Sequence, residues 1–431
     1  MRTCCSFCFA LILTLGLAAC AWQGVAPPSQ NVAGALARPA AARGYKLIYS
    51  FPGGAGGANP DAGPTFVNGV GFGTTGKGGD VGCNCGTVFA GTKVIYDFKG
   101  ASSKDGATPI GALLPVGDKL YGITGAGGRD GGACAARGSG VAGCGTVYEI
   151  DTTGNERVIY RFKGGSDGET PGGGLIYRKG VLYGTTFSGG TNKVCYSGNL
   201  PPGCGVVFAV DLSGHEKVIY RFKGGSDGEF PNTKLLSLNG TLYGTTVNGG
   251  GGNPRFCYAG CGTIFSVTPA GKKSLIYTFK GGKDGMAPYS PLLAVNGFLY
   301  GTTAEGGCMR VCDRYGSVPG GGTIFKMSSS GSETIIHRFV IAKASGLDPV
   351  GPLVFLNGHI FGVTAEALSP YAGTIYSATL KSFKQLYGFR VTLGDAQDPA
   401  GLTLKPSTQE LYGVGHVGGA NGVGAIFRYT L

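Results

Sequence analysis

Histidine is almost missing from this chain, with four residues in 431, and carboxylates number only 24. That scarcity bounds the chemistry, because acid–base or metal work needs several such groups gathered in one place. No His-Glu-x-x-His, no Gly-x-Ser-x-Gly and no phosphate-binding loop occurs, and the many Gly-x-Gly strings follow from glycine abundance. No cofactor and no metal site is therefore expected. The net charge is +12 and the pI about 9.0, yet no dense run of Lys or Arg marks a nucleic-acid patch. Nucleic acid is not an expected partner; an anionic glycan or an envelope protein remains open. Helical periodicity is nearly absent beyond the first twenty residues, which excludes helical bundles and α/β folds. What is abundant is glycine (85), phenylalanine (23) and tyrosine (21), the composition of many short strands joined by tight turns. The fold class is all-β.

The apolar stretch from Phe7 to Leu17 is too short to span a bilayer and reads as a signal peptide over 1–19. It ends Leu17-Ala18-Ala19-Cys20, which resembles a bacterial lipobox with Cys20 as the acylated residue. Cysteine arithmetic agrees: of 14 cysteines, Cys4, Cys5 and Cys8 leave with the signal, so eleven remain and assigning Cys20 to lipid leaves ten. Those ten fall into close pairs, expected as disulfides in an oxidising compartment: Cys83 with Cys85, Cys134 with Cys144, Cys195 with Cys204, Cys257 with Cys261 and Cys308 with Cys312. Residues 20–44, rich in Ala, Pro and Gln, read as a flexible tether, and Ala21 fits outer-membrane sorting. The chain is expected to be an outer-membrane or cell-surface lipoprotein, touching the membrane through its lipid only.

From 45 to 431 the sequence repeats itself. Lys-Val-Ile-Tyr-Arg-Phe-Lys-Gly-Gly-Ser-Asp-Gly occurs at 157–168 and 217–228, with relatives near Lys46, Lys93, Ser274, Thr334 and Phe383. Leu-Tyr-Gly-Thr-Thr stands at 182–186, 242–246 and 299–303, and Cys-Gly-Thr followed by an aliphatic and an aromatic residue at 85–89, 144–148 and 261–265. Each motif has seven copies in one order. Four strand candidates, A to D, make up each unit. Asn-Gly joins A to B at 68–69, 239–240, 296–297 and 357–358, the strongest short hairpin signal. This is the blade pattern of a β-propeller. The first strand, 46–51, is a D with no A, B or C before it, and the last, 424–430, is a C with no D after it. A seven-bladed ring follows, closed by the N-terminal strand pairing with the C-terminal three, and expected to be a monomer.

Long B–C and D–A loops share one face of such a ring, the usual place for binding. The B–C loops carry Arg129, Arg137, Lys193, Arg255, Arg310 and Arg314 with Tyr196, Tyr258, Tyr315 and Tyr371, a basic, tyrosine-bearing face. Glu305 and Glu366 hold one place after strand B in neighbouring blades and His416 the place before it in the next. These three are the weak catalytic candidates, and the alternative for each is a loop cap. The repeated Gly of strand B is expected to let neighbouring blades approach, and the Asp of Asp-Gly-x-x-Pro to bind backbone amides and fix its turn.

The motifs at 182–186, 262–265 and 218–222 resemble those of the GloVer, or "choice-of-anchor", tandem-repeat family of bacterial surface proteins. The resemblance covers 45–431 and implies export, surface display and a propeller-like fold, but no activity. Many members resemble proteins held by a C-terminal sorting signal; here the sequence ends in a strand at Leu431, and the lipobox is expected to take over that role. The functional expectation is a non-catalytic surface binding module. The alternatives are an envelope-assembly scaffold binding a protein partner, and a lyase or glycan-modifying enzyme.

Overall fold

The computed structural model describes residues 44–79, 82–129, 134, 141–190, 195, 203–252, 256–307, 320–340, 346–367, 370–392 and 394–431. The expected signal peptide, Cys20 and the tether up to residue 43 lie outside the described residues. Where Asn-Gly was expected to turn the chain it does, with φ of 49° and 81° at Asn68 and Gly69 and 49° and 82° at Asn239 and Gly240. Positive φ at both central positions matches the twist of the strands on either side. In blade 3, strands A (Glu169–Arg178), B (Val181–Ser188), C (Val206–Asp211) and D (Glu216–Arg221) lie antiparallel in that spatial order. Six further sheets repeat it, with strand A split in blades 1 and 4. In the seventh, Tyr45–Ser50 supplies strand D beside Ala425–Tyr429, Glu410–Gly418 and Ala396–Lys405. The termini build one blade jointly, and the protein is a seven-bladed β-propeller.

Each letter of Leu-Tyr-Gly-Thr-Thr has a separate task. Leu182 is fully buried in the sandwich between blades 2 and 3, one of seven apolar clusters, each formed between two adjacent blades. The first Thr reaches the next blade: Thr245 Oγ1 donates to Pro288 O at 2.9 Å and Thr302 Oγ1 to Pro349 O at 3.2 Å. The second Thr pairs with the Thr of strand C. The hydroxyls of Thr75/Thr87, Thr124/Thr146, Thr246/Thr263, Thr303/Thr323 and Thr364/Thr374 lie 2.7–2.9 Å apart, so buried oxygens are satisfied without water.

The glycine works differently from the expectation. It does not bring two blades together but lies beneath the aromatic ring of strand C in its own blade: Gly184 pairs with Phe208, Gly244 with Phe265 and Gly301 with Phe325. A Cβ at Gly184 would stand 2.5 Å from Phe208 Cζ. The blade-to-blade contact is aromatic instead. Phe51, Phe98, Phe162, Phe222, Phe279, Phe339 and Phe389, at or just after the end of strand D, each meet the strand C ring of the next blade at centroid distances of 4.9–5.4 Å. Removing the Cβ in strand B makes room for the ring, and the ring carries the junction.

Strand A is innermost, since its backbone meets that of its neighbours: a Cβ at Gly111 would be 3.3 Å from the Gly173 backbone. Disulfides Cys83–Cys85, Cys134–Cys144, Cys195–Cys204 and Cys257–Cys261 staple the B–C connections of blades 1 to 4 as expected. The fifth expected disulfide is not among these: Cys308 and Cys312, in the B–C connection of blade 5, both lie outside the described residues. Among the described residues no helix is long and apolar enough to cross a membrane.

Candidate binding site

The Asp of Asp-Gly-x-x-Pro does fix its turn. Asp105, Asp167, Asp227 and Asp284 accept from the backbone N–H of Lys99, Lys163, Lys223 and Lys280 at 2.6–2.8 Å. At the end of that motif lies a feature the sequence reading passed over. The residue before the proline has a left-handed backbone in every blade, with φ between 50° and 59° at Asn59, Thr108, Thr170, Phe230, Ala287, Asp348 and Asp398. Non-glycine residues rarely adopt this conformation. Here it is imposed by a hydrogen bond to the preceding blade. The N–H of Thr108 donates to Cys85 O, that of Thr170 to Cys144 O, that of Phe230 to Cys204 O and that of Asp348 to Gly321 O, at 2.7–3.0 Å. Seven side chains are thereby presented in one way at the axial end of the loop-bearing face.

Two of these residues show what they meet, the end of strand B in the preceding blade. Phe230 of blade 4 stacks on Phe187 of blade 3, centroids 4.8 Å apart. Asn59 Nδ2 of blade 1 donates to His416 O of blade 7 at 3.0 Å, and His416 Nδ1 lies 3.3 Å from Pro60 O. Around the axis the character of the ring changes. Blades 3 to 5 present Phe187, Phe230, Val247, Ala287 and Tyr289, packed into one apolar cluster. Blades 5 to 7 present Glu305, Asp348, Glu366, Asp398 and His416.

Glu366 ends strand B of blade 6 and lies opposite Leu347 at the start of strand A. Glu305 stands two residues past strand B of blade 5 (Phe298–Thr303) and bridges Met286 ahead of that blade's strand A. Both lie near Asp348, whose carboxyl is pushed up to about 8, first by burial and then by the charges of Glu366, Glu305 and Asp398. Burial alone pushes Glu305 up to about 7. Asp398 is raised by burial, while neighbouring His416 lowers it and Asp61 raises it. Tyr289 is raised by burial and then by Glu305 and Asp348, which sets it at the seam between the apolar and acidic halves. Asp348 Oδ1 is buried and has no hydrogen-bond partner among the described residues. Asp348 and Asp398 thus link the three residues singled out from sequence. Their signal was the Asp-Pro dipeptide, visible only when the repeats are aligned on the proline.

Arg129 is exposed and Tyr258 is 99% exposed on its loop. Tyr371 is not a loop residue: it opens strand C of blade 6 (Tyr371–Ala378), is half-buried and covers Gly388. The β-pairing extends farther in that blade because its B–C connection is short. Arg137, Lys193, Tyr196, Arg255, Arg310, Arg314 and Tyr315 lie outside the described residues. The other three histidines stand away from this cluster: His215 beside Asp211 in a C–D turn, His337 stacked on Phe383 between blades, and His359 exposed at the start of strand B of blade 6. Among the described residues no group of three His, Cys, Asp or Glu is placed to hold a metal ion.

No curated protein matches this chain. Among solved structures it is similar to a luciferin-regenerating enzyme, with 11% identity over 75% of this chain and 91% of that one and a TM-score of 0.42. It is also similar to the tricorn protease, with 14% identity over 71% of this chain but 25% of that one and a TM-score of 0.37. The Gloeobacter/Verrucomicrobia repeat matches residues 26–254 and 132–310, together well over half of the sequence, and the chain belongs to that repeat family.

Proposed function

We propose that this protein is an exported, lipid-anchored envelope protein whose propeller is a non-catalytic binding module, taking its ligand at the axial end of the loop-bearing face. The carrying observation is Asp348 Oδ1, buried and without a hydrogen-bond partner among the described residues, within an arc of polar side chains contributed by several blades. A buried acceptor without a donor costs about 1–3 kcal/mol, and a ligand that supplies the donor recovers it. The rigid ring holds these side chains in place before any ligand arrives, which keeps the ordering cost of binding low. An anionic glycan or acidic partner suits the outer rim instead, where Lys99, Lys104, Arg157 and Arg161 line a cleft between blades 1 and 2.

Two experiments test the two halves of this reading. Fatty-acid labelling in the native host should mark the wild type and not Cys20→Ser; an unlabelled wild type removes the anchor. A glycan array probed with the wild type and with Glu305→Gln/Asp348→Asn/Asp398→Asn should show binding that the triple variant loses. Array binding that survives in the triple variant puts the site elsewhere.

A second reading, a lyase or glycan-modifying enzyme, is favoured by Glu305 and Asp348, whose carboxyls are pushed up to about 7 and about 8, into the range of general acids at neutral pH. Mass spectrometry of array-positive glycans after incubation decides it. A product that fails to form with Glu366→Gln overturns the non-catalytic reading.

A further inference from the structure

We propose that the axial site selects an amine-bearing ring, such as an amino sugar, with the ammonium on Asp348 and the ring against the Tyr289–Phe187 side of the arc. This rests on the binding reading above and names the class of ligand.

The acidic half asks for a donor that carries positive charge. Asp348 is flanked by Glu305 of blade 5, Glu366 of its own blade and Asp398 of blade 7, and Asp398 in turn has His416 and Asp61 beside it. An anion entering here would meet four carboxyl groups. A neutral hydroxyl would satisfy Oδ1 but leave the mutual repulsion in place. A cation relieves both, and in a partly desolvated site its attraction exceeds that in water. A bare metal ion needs several ligands converging at once, and the described carboxylates do not converge in that way. An ammonium group, with three donors and no strict coordination geometry, fits a dispersed arc better.

The other half supplies the apolar surface. Phe187 is half-buried and backed by the buried ring of Phe230, and Tyr289 is half-buried where the aromatic cluster meets Glu305 and Asp348. A ring that bears the ammonium on one edge can touch aromatic carbon and carboxylate together, which neither a free amine nor a neutral ring does as well.

Binding should also move a proton. Below pH 7 Asp348 holds its proton, and an ammonium arriving there favours the ionised form, so the proton leaves the carboxyl for the buffer. Glu305, pushed up to about 7 by burial, can share in that release, so the count need not be a whole number.

The test is calorimetry with the full propeller at pH 6.5, in two buffers of different ionisation heat. The probes are a glucosamine trimer, its fully N-acetylated counterpart and calcium chloride. The glucosamine trimer should bind with proton release, and the N-acetylated trimer at least tenfold more weakly. Asp348→Asn should lose at least tenfold in affinity for the amine together with the proton release, while its far-UV circular dichroism and melting temperature stay those of a folded ring. Asp398→Asn should give a smaller loss, which guards against a folding defect in the first variant. Equal binding of the two trimers, calcium binding in place of the amine, or unchanged proton release in Asp348→Asn each overturns the proposal. Absence of amine binding overturns it too. Array binding that the triple variant loses would in that case leave the binding reading standing, and array binding absent or unaffected would take that reading down as well.

Discussion

Tyr45, at the start of the first strand, stacks on Tyr387 with centroids 3.9 Å apart and donates its hydroxyl proton to Asp395, 350 positions away. Tyr387 reaches the other oxygen of the same carboxylate at 2.9 Å. The N-terminal strand is thus held by its ladder to Ala425–Tyr429 and by a side-chain lock to blade 6. Deleting 45–51 should leave strand C of blade 7 as a bare edge and remove Phe51 from its contact with Phe89. Aggregation and a sharply lower melting temperature are expected. Tyr45→Phe keeps the stack and loses only the hydroxyl, costing about 1.5–3 kcal/mol in urea unfolding, the range for a hydrogen bond to a charged partner. A deletion variant that melts with the full chain would show that the ring does not depend on this strand.

The ring, its blade count and its closure were legible in the sequence because they are carried by period and phase, which survive translation into strands. Asn68-Gly69 or Leu182-Tyr183-Gly184 announce local geometry, and local geometry repeated seven times leaves few architectures. The site was only half legible. Glu305, Glu366 and His416 stood out by position, but Asp348 and Asp398 sit where other blades place Thr108 or Phe230, in a segment that reads as a turn. Their significance comes from a backbone conformation imposed by the neighbouring blade, which no local pattern states. The strand B glycine was misassigned for a related reason: its partner is the Phe of strand C, some twenty residues on, and only register brings them together.

That register predicts a coupled pair of substitutions. Gly184→Ala drives a methyl into the Phe208 ring, and overpacking of this kind costs about 1–3 kcal/mol. Phe208→Leu alone loses the contact with Phe162 and should also destabilise. Combined, the two should cost clearly less than their sum, because the smaller side chain vacates the space the methyl needs. Strict additivity in urea unfolding would mean that Gly184 is there for its backbone and not for the ring.

At the junction of blades 3 and 4 the repeat makes a substitution of its own. Where other blades begin strand D with Glu156, Glu216 or Glu333, this one places Lys273, whose ammonium lies 2.7 Å from Asp227 Oδ1 and 2.6 Å from Asp227 O. Its side chain is only 6% exposed. Lys273→Met should cost about 1.5–3 kcal/mol, the range for a hydrogen bond to a charged partner, since Asp227 keeps Tyr220 and the Lys223 N–H. Lys273→Glu should be tolerated at pH 5, where a proton can be shared with Asp227, and should lose stability at pH 8. A Lys273→Glu variant equally stable at both would refute this account of the junction.

The junctions with glutamate predict how the whole ring responds to pH. Tyr96 Oη lies 2.8 Å from Asp105 Oδ2 and 3.0 Å from Glu156 Oε2, and one hydroxyl proton serves only one of them. Glu156 Oε1 is sealed from solvent without a partner among the described residues. Burial, and then the Asp105 charge, push Glu156 up to about 7. Glu216 and Glu333 are raised by burial and by Asp167 and Asp284 in the same way. An unfolded glutamate titrates near 4.3, so the folded ring binds more protons than the unfolded chain above that pH. The contribution is fully present below about 4.3 and is lost as pH rises through the folded value. The urea midpoint should therefore fall between pH 5 and pH 8. Glu156→Gln, uncharged throughout, should flatten that fall, and adding Glu216→Gln and Glu333→Gln should flatten it further. A residual slope should persist, because Glu305 and Asp348 at the axis are raised as well. A midpoint that rises across this window, or a slope untouched by the three Gln substitutions, would show that these carboxyls hold no proton in the folded ring.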